Sequence, residues 1–266
     1  MWKACYLLDM GQEQAMMQEM EALLDRERLL KYQGMKDGRA KVLCLGAGVL
    51  LRLAWAESQS RLLLDESQSG LCKDESQNGA FPDESQSERE APSILTPSEV
   101  VRRLGELPKC PEPRYRHSEK GKPYFEDSPL SFSLSHSGDL VLCAIADHEI
   151  GADLQRVTEV RWQQLAERYY SPQEQDYLGI FAEKRAGCFR PSEENARLEF
   201  FSLWCRKEAY GKMTGEGVAP YLGRPILEEE AGISIWEGLL DLREETYCYC
   251  ITEQDARKLF VENLQG

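Results

Sequence analysis

The chain has no CxxC pair and only three histidines, His117, His136 and His148, so neither a zinc ribbon nor a zinc finger can be built from it. Positive charge is also scarce: 32 Lys and Arg stand against 46 Asp and Glu, a net charge of −14. Phosphate-backbone contacts need a basic footprint, so nucleic acid is not the expected partner, and neither is an anionic membrane surface. No long apolar run is present. The longest, Val42–Leu51, contains two glycines and falls far short of the roughly 20 residues a bilayer demands. The opening stretch Met1–Met10 is too short in apolar residues for a signal peptide and is predicted to be a first strand. A cytoplasmic protein is expected, its nine cysteines mostly reduced and packed as small hydrophobes.

What the chain does contain is enough apolar residues, 42% of 266, for one large or two smaller cores. Apolar spacing of three and four predicts helices over Met16–Tyr32 and Val42–Trp55, and Thr96-Pro97-Ser98-Glu99 is a start signal for another. Between them lies a nine-residue repeat: the AESQS of 56–60 recurs as DESQS at 65–69, DESQN at 74–78 and DESQS at 83–87. This acidic, Ser/Gln-rich composition predicts a disordered insertion over residues 58–92. Strands are expected within Tyr115–Ala146, in the Asp153 stretch, in Ile226–Trp236 and in Tyr247–Thr252, with helices at Arg161–Tyr169 and Pro172–Phe181 and a loop at Glu183–Asn195. The order of elements predicts an α+β fold of two similar α/β lobes, residues 1–146 and 147–266. Each would pair a small, mostly antiparallel sheet with a long helix, with the active site in the cleft between them.

The stretch with the most chemistry is Phe200–Gly217, FFSLWCRKEAYGKMTGEG, read as one helix stopped by Gly215 and Gly217. Glu208 and Lys212 are four apart and project from one side. Alone, such a pair is a solvated helix contact contributing ~0.3–0.5 kcal/mol. It has company in Asp153 and Gln155, which follow the apolar run Leu140–Ala146 and face the same side of a strand. An acid on a strand end and an acid on a helix make a candidate site for a hard cation such as Mg²⁺.

Three blocks in order then resemble a known family. WxxKEA with a lysine four residues after the glutamate and a GxG ending, the preceding strand ending in Gly151-Ala152-Asp153, and the pair Gly121-Lys122-Pro123 and Phe132-Ser133-Leu134-Ser135-His136-Ser137 are similar to the 4′-phosphopantetheinyl transferases of the surfactin-synthetase-activating type. The resemblance implies transfer of 4′-phosphopantetheine from the substrate coenzyme A to a serine of an apo acyl or peptidyl carrier protein, with release of 3′,5′-ADP. It implies Mg²⁺ held by Asp153, Glu208 and Gln155, with Asp153, Glu208 and Lys212 as the catalytic set. Lys212 would neutralise phosphate charge, and Glu208 would accept the serine proton. Coenzyme A would be held by His136, Ser135, Lys122, Lys36, Arg39, Lys41 and Lys207. A monomer is expected, since two lobes form the cleft within one chain.

Three positions depart from the family pattern. Leu43 stands where a basic residue is common, Ser133 where asparagine is usual, and Gln155 where many members carry a third acid. Two other readings share the same residues: another Mg²⁺-dependent phosphotransferase or pyrophosphatase, and a coenzyme A-binding module that has lost activity. Because an amide oxygen is neutral and a weaker ligand than a carboxylate, Gln155→Glu should lower the Mg²⁺ concentration needed for half-maximal activity. Equal half-saturation in wild type and variant would overturn that expectation.

Overall fold

The structure, a computed structural model, describes residues 3–11, 16–36, 38–69, 92–180, 191–226 and 232–254. It is a mixed α/β chain of several small sheets and seven helices among the described residues. In the N-terminal half these are β1 (Lys3–Asp9), α1 (Met17–Ala22), α2 (Arg26–Gly34), α3 (Arg39–Ser69), β2 (Ser93–Leu95), α4 (Pro97–Glu106), β3 (Tyr115–His117), β4 (Pro123–Phe125), β5 (Ser131–Ser137) and β6 (Leu140–Ala146). The C-terminal half follows with β7 (Ile150–Arg156), α5 (Trp162–Tyr169), α6 (Pro172–Tyr177), α7 (Glu193–Thr214), β8 (Ile233–Leu242) and β9 (Glu245–Gln254).

One sheet has the order β2-β1-β6-β5, antiparallel except for the β1–β2 pair; a second has the order β7-β9-β8 and is wholly antiparallel; β3 and β4 form a separate hairpin. Three apolar clusters glue these layers. Leu45, Val49 and Leu53 of α3 pack with Leu8, Val141 and Cys143 on the outer face of the first sheet. Phe200, Cys205 and Ala209 of α7 pack with Cys248 and Cys250 on the outer face of the second. Between the sheets, Leu142 and Ala144 meet Ala152, Leu154, Tyr249 and Ile251. The period-2 alternation of β6 and β9 is what lets each strand feed two cores at once.

Several expected elements shift. Met16–Tyr32 is two helices, because Asp25 leaves the helical conformation to cap α2, its carboxylate accepting the Arg28 N–H at 2.9 Å and the Tyr115 hydroxyl at 2.9 Å. The helix at 42–55 runs on to Ser69, so the first two copies of the repeat continue α3 instead of entering a disordered loop, with Ser58 buried. Residues 70–91, with the remaining copies, lie outside the described residues. The helix expected from Phe200 starts at Glu193 with Ser192 as its cap, so the end of the Glu183–Asn195 loop is helical; residues 181–190 lie outside the described residues. The strand expected at Ile226–Trp236 begins at Ile233 and extends to Leu242.

β7 lies hard against α7. A Cβ on Gly151 would fall 2.0 Å from the Ala209 carbonyl oxygen and 2.6 Å from the Met213 nitrogen, so only glycine permits this approach. The same helix ends where Gly215 turns left-handed at φ 74°. Because the obstacle at Gly151 is helix backbone, Gly151→Ala is expected to lower stability by about 3 kcal/mol, read as a shift of the urea midpoint. An unchanged midpoint would mean that strand and helix separate freely.

Candidate active site

The site is built where β5, β7 and α7 converge. Alternate residues of β5 point toward β7: Ser133 accepts the Ala152 N–H at 2.9 Å, Ser135 the Leu154 N–H at 3.2 Å and Ser137 the Arg156 N–H at 2.9 Å. The two strands, which belong to different sheets, are thus joined in parallel by side-chain hydroxyls in place of a backbone ladder. Asp153 sits in this seam, 2% exposed. A carboxylate so buried needs donors, and it has three: Lys212 Nζ at 2.6 Å and Ser135 Oγ at 2.8 Å on Oδ1, and Gln155 Nε2 at 3.1 Å on Oδ2. Lys212 also donates to the Ala152 carbonyl at 3.1 Å.

Glu208 lies one turn before Lys212 on α7 and is half-buried. Its carboxyl titrates above the usual carboxylate range, first because burial disfavours the charge and then because Asp153 is a nearby anion, with Lys212 opposing both. Asp153, Glu208 and Lys212 are therefore one electrostatic cluster. Two acids forced near each other, with an ammonium already standing in as a cation on one of them, fit a divalent cation that draws its remaining ligands from water and substrate phosphate. No group of three or more His, Cys, Asp or Glu suited to a metal exists among the described residues. Gln155 reaches Asp153 through its amide nitrogen, a donor that cannot ligate a cation.

Lys212 lines one cavity, and a second borders it. One, of about 280 Å³, is lined by Lys212, Gly211, Ser133 and Pro123. The other, of about 370 Å³, is lined by His136, His117, Arg28 and Lys31. Pro123 and Leu134 line both, so the recess of His136, Arg28 and Lys31 borders the cavity that Lys212 lines together with Lys120 and Lys122.

The coenzyme A ligands expected from sequence are redistributed. His136 is exposed and lines the basic recess, because adjacent strand residues face opposite sides and Ser135 faces inward. Ser135 is 8% exposed and its hydroxyl is used inside the protein, by Leu154 and Asp153. Lys207 is fully buried: its ammonium lies 2.8 Å from Glu174 Oε1 and donates to the carbonyls of Tyr221, at 3.2 Å, and Arg224. Burial lowers its pKa, and the bond to Glu174 works against that. Since Glu174 also closes the capping box of α6, Lys207 fastens α6 and the 221–224 segment to α7 and is not presented to a substrate. The Lys122 ammonium is held by Glu149 and by the Met213 carbonyl at 2.5 Å, near the end of α7.

Neither Lys36 nor Arg39 nor Lys41 lines the basic recess. Lys36 is exposed, the Arg39 guanidinium is bonded to Gly138 O and Asp139, and the Lys41 ammonium lies 4.8 Å from the centre of the Tyr32 ring. The cations at the recess come from α2 instead, as Arg28 and Lys31, three apart on one helix face. That spacing was the available signal for Arg28, which the sequence reading passed over. Leu43, at the position commonly basic in the family, turns into the core.

Residues 149–255 match the family model for the 4′-phosphopantetheinyl transferase superfamily. The chain is 35% identical over 105 residues to the 4′-phosphopantetheinyl transferase gsp of Aneurinibacillus migulanus, covering 39% of each protein. It is 35% identical over 112 residues to 4′-phosphopantetheinyl transferase HetI of a Nostoc strain, covering 40% of this chain and 43% of that one. With 4′-phosphopantetheinyl transferase Sfp of Bacillus subtilis the identity is 30% over 121 residues, covering 45% and 49%. The chain thus matches less than half the length of each of these relatives. The matched span contains Asp153, Glu208 and Lys212 and all of β7, α7, β8 and β9, so the likeness to the 4′-phosphopantetheinyl transferase superfamily rests on the stretch that builds the cluster.

Proposed function

We propose that this protein moves the 4′-phosphopantetheine group of coenzyme A to a serine hydroxyl of an apo acyl or peptidyl carrier protein, releasing 3′,5′-ADP, in a Mg²⁺-dependent reaction. The observation that supports this best is the Asp153–Glu208–Lys212 cluster on β7 and α7, whose Lys212 lines a cavity bordering the Arg28, Lys31 and His136 recess. Two neighbouring recesses, one lined by Lys120, Lys122 and Lys212 and the other by Arg28 and Lys31, suit a molecule with a pyrophosphate and a separate sugar phosphate. Residues 1–146 and 147–266 act in this reading as two lobes, with the substrate along their seam. All three members of the cluster come from one chain, which supports a monomer.

Asp153 and Glu208 would hold Mg²⁺, which supplies Lewis-acid stabilisation of the pyrophosphate. The carrier serine oxygen forms a bond to the pantetheine-bearing phosphorus while the bond from that phosphorus to the bridging oxygen breaks, and 3′,5′-ADP leaves with the electron pair. Glu208 takes the serine proton. Lys212 exchanges its bond to Asp153 for one to a phosphate oxygen, adding positive charge where negative charge builds.

Intact mass of an apo acyl carrier protein, after incubation with coenzyme A and Mg²⁺, should rise by one phosphopantetheine. Asp153→Ala and Lys212→Ala should each slow that rise by about 10²-fold or more. No gain on several carriers, with coenzyme A still bound, would leave only the binding-module reading; phosphate release from nucleotides without a carrier would favour the phosphohydrolase reading.

The raised carboxyl of Glu208 also fixes a pH signature. A native acid with a raised pKa keeps its proton where the unfolded chain has lost it, so stability falls as pH climbs from the ordinary carboxyl value to the raised one. Glu208→Gln should therefore melt higher than wild type at pH 7–8, with the gain vanishing near pH 4, while transfer is lost. A variant that melts lower at both pH values would show that Glu208 is structural.

A further inference from the structure

We infer that Ser135 is a positioning residue that acts through Asp153, a role that rests on the transferase reading and on the cation that Asp153 would hold. The four alternate serines of β5 are not equivalent. Ser133 and Ser137 bond the β7 backbone, and Ser131 lies 3.3 Å from Glu149 at the junction between the two halves. Ser135 alone joins the backbone seam to the cluster, with its oxygen 3.2 Å from the Leu154 nitrogen and 2.8 Å from Asp153 Oδ1.

A hydroxyl has one proton. With the Leu154 N–H donated into the Ser135 oxygen, that proton is directed to Oδ1, and the carboxylate is held from a strand instead of from a flexible side chain. The other donor on Oδ1 is Lys212, whose ammonium sits on a long stem with a side chain 31% exposed. When Lys212 turns to a phosphate, Ser135 is the donor that keeps Oδ1 in place, and Gln155 keeps Oδ2. Carboxylates that ligate cations are oriented by such outer hydrogen bonds, and losing one typically costs about 10–100-fold in metal affinity.

Ser137→Ala is the matched control. It deprives one β7 N–H, that of Arg156, of its acceptor just as Ser135→Ala deprives that of Leu154, but it touches no member of the cluster. Mn²⁺ binding to the full chain, followed by loss of the free-ion paramagnetic resonance signal in the presence of coenzyme A, is expected to weaken about tenfold or more in Ser135→Ala. In Ser137→Ala it should stay at the wild-type value. If Ser135→Ala does not fold, Ser135→Cys keeps the volume with a weaker donor, and the same loss of Mn²⁺ affinity is expected of it. Equal Mn²⁺ affinity in wild type and the Ser135 variant, or equal loss in both serine variants, would overturn the positioning role. If wild type binds Mn²⁺ with this gap between variants yet modifies no carrier, the transferase reading fails and the role of Ser135 stands.

Discussion

The structure depends on the seam in which serine hydroxyls of β5 stand in for a backbone ladder to β7. Two sheets that ended at β5 and β7 would each present an unpaired edge. Alternate serines close that gap at one side-chain length, and their spacing of two matches the rise of the opposing N–H groups. Beside the seam Asp153, in register with Cys250, turns to the α7 face of β7, where the Ser135 hydroxyl and Lys212 satisfy it, since a carboxylate out of water must be hydrogen-bonded. Apolar packing of Leu142 and Ala144 against Leu154 and Ile251 holds the sheets together beneath the seam.

Helix α7 is the other fixed member. Its buried positions include Lys207 as well as Phe200 and Ala209, and a fully buried ammonium is tolerated because Glu174 and two carbonyls surround it. Removing one partner from such a pair leaves an uncompensated charge, so the Lys207–Glu174 contact locks α6 and the segment after α7 in register. The next residue, Glu208, faces the seam. Gly151 brings β7 onto the helix backbone, and Lys212 crosses that short gap to Asp153. Consecutive residues of the KEA motif thus have unrelated work: the lysine is framework, and the glutamate belongs to the site.

Much of the fold was legible where local chemistry speaks plainly. Thr96 closes a capping box, as its spacing to Glu99 implied, and the all-apolar run Leu140–Ala146 is the doubly covered central strand β6. The break at Asp25 was not, because a capping aspartate and a helical aspartate look alike until the Tyr115 hydroxyl is known to approach from 90 residues away. The extension of α3 through the AESQS and DESQS copies was hidden by composition: serine and glutamine lower helix propensity only slightly, and burial of Ser58 beside Trp55 outweighs it.

For the site, the sequence by itself determined which side chains share a face, Asp153 with Gln155 by period 2 and Glu208 with Lys212 by period 3.6, because those faces follow from backbone geometry; that strand and helix meet was decided by the fold. Which basic groups face the recess was decided only by the tertiary structure. Lys36, Arg39, Lys41, Lys122 and Lys207 carry the same charge as Arg28 and Lys31, and nothing local distinguishes an ammonium bonded to Glu149 or Glu174 from one left beside His136. Long cationic side chains take their partners from whatever the fold brings near, and those partners here lie on elements remote in the chain.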